Sequence, residues 1–397
     1  MSGKNIKSTL SIAEIIPVGT RLKLITIWLI VGLFMVFGHT LLGESMSSAT
    51  AVVAFLILLL TIVGAAFGVV KEADELAHKL GEPYGTLILT LSIVSIEVIL
   101  ISAVMLGPGE FPTIGKDSIF SVMMIIMNLV IGLCILLGGL KYGEQEYNAQ
   151  GAMSYLGMII MLGSIGMMLP NFIEGAGNGV FSNTQAIVLS SLIIILYGFF
   201  LLLQMKGYRH LYIQPKKGSM EIPFAERNND LLTVSAVTVG EPSKSNKNEI
   251  LIRSVVLIAT ILPIVLLSHN MATVVDYGIK AANLPPLLGG VLIAIIVFTP
   301  ESMTAVKAAL NNEFQRAINL CHGAFVSTVG LTVPSVLIVG LITGKTVLFG
   351  LTATEMILFV VTLLLSLMTF LGKRTTPMVG IMHLVLFLVF IMLIFNP

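Results

Sequence analysis

The chain has 397 residues, of which 56% are hydrophobic and 11% charged, with a mean hydropathy of +0.99 and a net charge of +1. A soluble domain carries roughly 25% charged residues, so this composition excludes a soluble globular protein and points to a chain that crosses the lipid bilayer several times. The balanced net charge gives no support to a nucleic-acid partner.

Apolar runs of the length needed to span a bilayer, about 17 to 25 residues, fall at 24–42, 49–70, 84–107, 117–140, 151–169, 184–205, 250–268, 287–310, 315–342, 346–371 and 378–396. The expected fold class is therefore an all-α polytopic membrane protein with eleven transmembrane helices. The first 23 residues are too long and polar for a signal peptide, and no small-residue cleavage site follows, so the first run reads as a retained helix. With the amino terminus inside, 19 of the 22 Lys and Arg residues fall on the cytoplasmic side, and only Lys116, Lys280 and Lys345 fall outside. Cytoplasmic loops collect basic residues, so the amino terminus is expected inside and the carboxyl terminus outside.

Residues 71–83 read as a solvated helix end carrying Glu72, Asp74, Glu75 and His78. The next run, "GTLILTLSIVSIEVILISAVML", holds one ionisable group, Glu97. A charged side chain at the bilayer centre costs about 2.5 to 3.5 kcal/mol on insertion scales, and intramembrane acids generally mark ion or proton pathways. Thr86 and Thr90 share its helical face. In the following run, Ser121, Asn128, Gly132 and Gly139 lie on one stripe. Cys134 and Cys321 fall on different helices, a spacing that suggests neither a disulfide nor a zinc site.

Residues 206–249, with seven basic and five acidic side chains, interrupt the apolar pattern and read as a cytoplasmic linker. The expected division is 1–48 for the amino terminus and first helix, 49–205 for a five-helix repeat, then the linker, and 250–397 for a second five-helix repeat. An odd number of crossings per repeat makes the second enter from the opposite face, the inverted-repeat plan of many secondary transporters.

The second half offers a matching acid in "LGGVLIAIIVFTPESMTAVKAAL". Glu97 is thirteen residues beyond Tyr84, and Glu301 thirteen beyond Leu288, so each lies roughly 20 Å along its helix. Gly290, Ala294, Thr304, Ala305 and Ala308 on the Glu301 face leave room beside the carboxylate. Pro300 has no N–H, so the carbonyl of Ile296 loses its helical donor and becomes a candidate ligand. The run after Glu301 carries a polar stripe of Thr328, Thr332 and Ser335 with Ser327 beside it, and His322 one to two turns earlier is a candidate proton relay. Hard cations such as Ca²⁺ take six to eight oxygen ligands from carboxylates, hydroxyls, amides and carbonyls. Two opposed glutamates with Thr90, Asn128, Ile296, Ser327 and Thr328 would supply such a set. No HExxH motif, loop-borne pair of catalytic acids or nucleophile elbow points to an enzyme.

The stretches "GEPYGTLILTLSIVSIEVILISAVM" and "FTPESMTAVKAALNNEFQRAINLCHGAFVSTVGLTVPSVLIVGL" resemble the cation/proton exchangers of the Ca²⁺/cation antiporter superfamily, most of all the ChaA-type calcium (sodium, potassium)/proton antiporters. The resemblance covers residues 49–397. In that family each repeat carries a Gly-Asn-x-x-Glu signature whose glutamate binds the ion. Glu97 and Glu301 match the glutamates, Asn128 matches the terminal Asn of Gly-Ser-x-x-Ser-Asn, and Gly323 and Ser327 fall on the Gly and Gln of Gly-Ser-x-x-Gln. Ile93–Val94 and Val297–Phe298 replace both Gly-Asn pairs, and Ser302 replaces a His common after the second glutamate. The resemblance implies secondary active exchange of Ca²⁺, with Na⁺ and K⁺ as further cations, against H⁺ by alternating access. The cation would be a substrate, with no resident cofactor, and the same site would serve a monovalent Na⁺(K⁺)/H⁺ antiporter. It carries no information on oligomeric state.

Overall fold

A computed structural model describes residues 16–43, 46–80, 84–106, 111–174, 179–215 and 247–396. The chain is helical, with α1 Val18–Leu41, α2 Ser48–Leu80, α3 Tyr84–Leu106, α4 Ile114–Tyr142, α5 Ala149–Asn171, α6 Asn183–Lys206, α7 Lys247–Ala281, α8 Leu287–Leu310, α9 Phe314–Thr343, α10 Ala353–Phe370 and α11 Pro377–Phe395. Ten of these are long and apolar enough to cross a membrane among the described residues, and the remaining one, α3, carries an apolar stretch over Leu91–Leu106. Most of the expected linker, 216–246, and the first fifteen residues lie outside the described residues.

Two helices outrun their apolar segments. Helix α2 has 33 residues and α7 has 35, about 50 Å each at 1.5 Å per residue, against a hydrocarbon core of about 30 Å. The cause in α2 is the Glu-, Ala- and Leu-rich sequence after Val70, which propagates the helix out of the apolar region. This extension is not simply solvated: Glu72 is 1% exposed. Arg253 on α7 gathers Glu72 at 3.3 Å, Glu75 at 3.4 Å and Glu249 at 3.4 Å, and Lys79 reaches Glu249 at 3.2 Å. The first helices of the two halves are thus tied at one end. Helix α10, by contrast, begins at Ala353 and not near 346. Gly344 terminates α9 in the left-handed region at φ 69°, and a Thr352–Glu355 capping box starts α10.

The connections between halves are crossed. Gln145–Glu146, between α4 and α5, pairs antiparallel with Arg374–Thr375, between α10 and α11. At the opposite ends of the helices, Val180, between α5 and α6, bridges Leu348, between α9 and α10. Each half lends its third loop to the fourth loop of the other. Gly179 has φ +81° and its carbonyl accepts from the Gly350 N–H at 3.0 Å, an approach so close that a Cβ on Gly350 would stand 2.5 Å from the Gly179 Cα.

Buried side chains pin helix starts in the same crossed manner. Lys116 at the start of α4 reaches both carboxylate oxygens of Glu355, at 2.7 and 2.8 Å, and Asp117 at 2.8 Å, with the three residues 3%, 9% and 4% exposed. At the other end, Gln315 at the start of α9 accepts from the backbone N–H of Asn148, the N-cap of α5, at 2.7 Å. One clasp is ionic and the other neutral. Removing one member of a buried pair costs about 3–5 kcal/mol because the remaining charge is stranded. Asp117→Asn with Glu355→Gln, which leaves Lys116 without a carboxylate, is therefore expected to lower the thermal unfolding midpoint of detergent-solubilised protein more than Glu355→Gln alone, whereas Glu144→Gln at an exposed position changes stability by no more than about 0.5 kcal/mol.

Candidate functional site

Glu97 sits at the fourteenth position of α3 and Glu301 at the fifteenth of α8, counting from Tyr84 and Leu287. Glu97 is 0% exposed. Its Oε2 accepts a hydrogen bond from the Thr328 hydroxyl at 2.8 Å, and its Oε1 has no partner. The Thr332 hydroxyl, one turn further along α9, is also buried near this carboxyl and makes no hydrogen bond. Glu301 is close enough to Glu97 for the two carboxyls to interact electrostatically, and its Oε2 is buried without a partner. The centre of the molecule thus presents two carboxyls from opposite halves, each with an uncommitted oxygen, and two threonine hydroxyls. Unpaired buried oxygens are costly unless something satisfies them, and a cation or a proton does so.

The helix after each glutamate is locally widened. Helix α4 is a π-helix over Met124–Val130, and α9 over Thr328–Thr332. Such segments insert one extra residue into a turn and shift the hydrogen-bond ladder. In α9 the segment begins at the residue that donates to Glu97, and Thr328 and Thr332 both bear on that carboxyl. Their four-residue spacing was legible as a stripe, whereas the widened turn was not. Pro300 lies inside α8, so the Ile296 carbonyl is without its helical N–H one turn from Glu301.

The other anticipated residues are placed differently. Asn128 lies within the π segment of α4, but its amide donates to the Thr362 hydroxyl at 2.9 Å and its Oδ1 faces His383 Nδ1 at 3.2 Å. His383 in turn meets Thr369 at 3.0 Å. Ser327 donates to the Gly323 carbonyl at 2.7 Å and accepts from Tyr197 at 2.9 Å, so its hydroxyl is engaged on the α6 side. His322 is fully buried with neither ring nitrogen partnered, edge-on to Phe370 at 4.8 Å. The side chains of Thr86 and Thr90 lie outside the described residues. Gly290 does not leave space beside Glu301, because the backbone of Asp117 and Ser118 fills it; a Cβ there would stand 2.5 Å from the Asp117 carbonyl carbon. Thr362 and His383 are partners that helical spacing around the glutamates could not nominate, since they come from α10 and α11.

Among the described residues, an open cavity reaches Glu301 from one end. This cavity, of about 260 Å³, enters from the end where α2 and α8 finish and α9 starts, lined by Lys71, Asp74, Ile93, Thr304, Lys307 and Arg316. Toward the opposite end, a volume of about 30 Å³ between α3, α7 and α8 is walled by residues such as Leu100, Met271 and Ile293, and a cavity of about 500 Å³ between α2, α7 and α8 lies beside it without either glutamate on its wall. The first is large enough for a hydrated ion, since one water occupies about 30 Å³ of liquid, and the second has room for about one water.

Residues 50–206 and 253–396 match the family model described as sodium/calcium exchanger protein. The chain is 34% identical over 353 residues to the sodium-potassium/proton antiporter ChaA of Escherichia coli (strain K12), covering 89% of this chain and 92% of that one. It is 23% identical to a Ca²⁺/H⁺ antiporter of Aphanothece halophytica, over 79% of this chain and 82% of the other. Among solved structures, native YfkE superposes with a TM-score of 0.68 at 19% identity, over 94% of this chain and all of the other. The H⁺/Ca²⁺ exchanger CAX gives 0.66 at 14% identity, over 94% and 89%. These two show the same fold. With the family model matched over most of the chain and 34% identity to ChaA, the chain belongs to the sodium/calcium exchanger protein family, as a ChaA-like member of the Ca²⁺/cation antiporter superfamily.

Proposed function

We propose that this protein is a secondary active antiporter that exports Ca²⁺, and also Na⁺ or K⁺, from the cytoplasm in exchange for H⁺. The observation that carries the reading is the interacting pair of carboxyls, Glu97 and Glu301, each with a buried unpartnered oxygen, with Glu301 on the wall of an open cavity. Cation and protons neutralise the same two groups. A neutralised site can be carried between two exposures, whereas an empty, doubly ionised one resists losing contact with water. Exchange is obligatory for that reason.

The cavity opens at the helix ends that the distribution of Lys and Arg assigns to the cytoplasm, so the conformation reads as inward-facing, with N-terminus inside and C-terminus outside, in a bacterial inner membrane. Glu97, Glu301, Thr328, Thr332 and the Ile296 carbonyl form the proposed ligand set, with Thr90 on the Glu97 helix as a further member. Asn128 and Ser327 act on the site through α4 and α9, and His322, buried on α9 with neither ring nitrogen partnered, is the proposed proton relay. The name of the Escherichia coli relative supports the monovalent Na⁺(K⁺)/H⁺ exchanger as a second reading on the same site.

The direct test is cation-driven proton movement in everted vesicles, followed with a pH-sensitive dye, on addition of Ca²⁺, Na⁺ or K⁺. A signal with at least one of these ions is expected, and silence with all three in vesicles that contain the protein would overturn the reading. Within the site, Thr328→Val removes a donor to a charged oxygen, an interaction worth about 1.5–3 kcal/mol. The cation half-saturation concentration in that variant is expected to change roughly tenfold or more, with the protein still inserted.

A further inference from the structure

The geometry points to a charge filter at the mouth of the Glu301 cavity, in which Lys307 weights entry toward monovalent cations and against divalent ones. A pathway for cations would be expected to be acidic at its entrance, yet Lys71, Lys307 and Arg316 all line this cavity. One of the three charges is ion-paired and a second is hydrogen-bonded. Arg316 is paired with Glu313 at 3.1 Å, and Lys71, whose ammonium donates to Thr20 at 3.3 Å, shares the cavity wall with Asp74 three residues on. Among the described residues Lys307 has no carboxylate within ion-pair distance and no hydrogen-bond partner. It lies six residues beyond Glu301 on the same helix, about 9 Å along the axis toward the mouth, and is exposed to the water that fills it.

An uncompensated positive charge raises the local potential, and the energy of a passing ion is its own charge times that potential. If the potential due to Lys307 raises the half-saturation concentration of a monovalent ion by a factor f, it raises that of a divalent ion by f². A unit charge about 8 Å away in water corresponds to about a twofold factor for a monovalent ion and hence about fourfold for a divalent one. Two carboxylates in the site favour a divalent ion through the same multiplication, so Lys307 opposes that preference and sets the balance between the two classes. The exposed position makes the effect sensitive to salt, because the screening length is about 10 Å at 0.1 M and about 30 Å at 0.01 M.

The inference rests on the exchange reading, in which cations reach Glu301 through this cavity. The test measures half-saturation for Na⁺ and Ca²⁺ in everted vesicles carrying the parent protein, Lys307→Gln, Lys307→Glu and Lys307→Arg, at low and at high ionic strength. Lys307→Gln is expected to lower the Na⁺ value about twofold and the Ca²⁺ value about fourfold at low salt, and Lys307→Glu to lower them about fourfold and sixteenfold. Both effects should shrink at high salt, and Lys307→Arg should match the parent. Equal factors for the two ions, or no change in either at low salt, would overturn the filter while leaving exchange at the glutamates intact. Should Glu301→Gln still exchange, the underlying reading falls, independently of the Lys307 ratio.

Discussion

Glu97→Gln and Glu301→Gln are each expected to abolish cation-driven proton movement while leaving membrane insertion and the unfolding midpoint close to those of the parent. Glutamine keeps the shape and the acceptor oxygen, so Thr328 retains a partner at position 97, but the side chain neither binds a proton at working pH nor carries charge. One neutral site leaves a single carboxylate to balance a cation, and the step in which protons replace the ion loses its second acceptor. The loss should exceed a hundredfold in rate in vesicles with equal protein content. Substantial exchange by either variant would remove the two-carboxylate mechanism, and a variant that fails to insert is separated from it by Glu→Asp at the same position, which restores the titratable group.

The second large effect concerns pH. Where proton and cation occupy the same oxygens, lowering pH on the side from which the cation binds raises the cation half-saturation concentration. The rise approaches tenfold per pH unit when one bound proton must leave and a hundredfold when two must leave together. The sign follows from competition alone and holds for Ca²⁺, Na⁺ and K⁺ alike. Half-saturation measured from alkaline to mildly acidic pH, in an active preparation, should therefore climb steeply as pH falls. A flat profile would place the transported proton on other groups, with buried His322 the first to substitute.

The two glutamates were legible because each is the one acid in its apolar run, and because their matched depth is a property of helix length alone. The proposed orientation rests on the basic residues alone, which the bilayer sorts by side. The rest depends on which helices meet. The Lys116–Asp117–Glu355 cluster joins residues 239 positions apart, and Asn128 reads as a ligand by spacing but faces Thr362 and His383 on the last two helices. No periodicity reports a π segment, because the extra residue shifts the register that periodicity assumes. The outward extension of α2 was also hidden: its Glu72 and Glu75 look solvated until Arg253, far along the chain, is brought against them.

The crossed loops have a consequence for how the chain is made. A ribosome delivers Lys116 and Asp117 to the membrane long before Glu355 exists, and the strand at Gln145–Glu146 waits equally long for Arg374–Thr375. During that interval the first half holds an ammonium with one carboxylate instead of two and an edge with no mate. Translation pauses or truncations that fall between the halves would therefore strand a species whose unmet charges and open edge invite capture by quality-control proteases, and arrival of the final helices is what releases the nascent protein from that hazard.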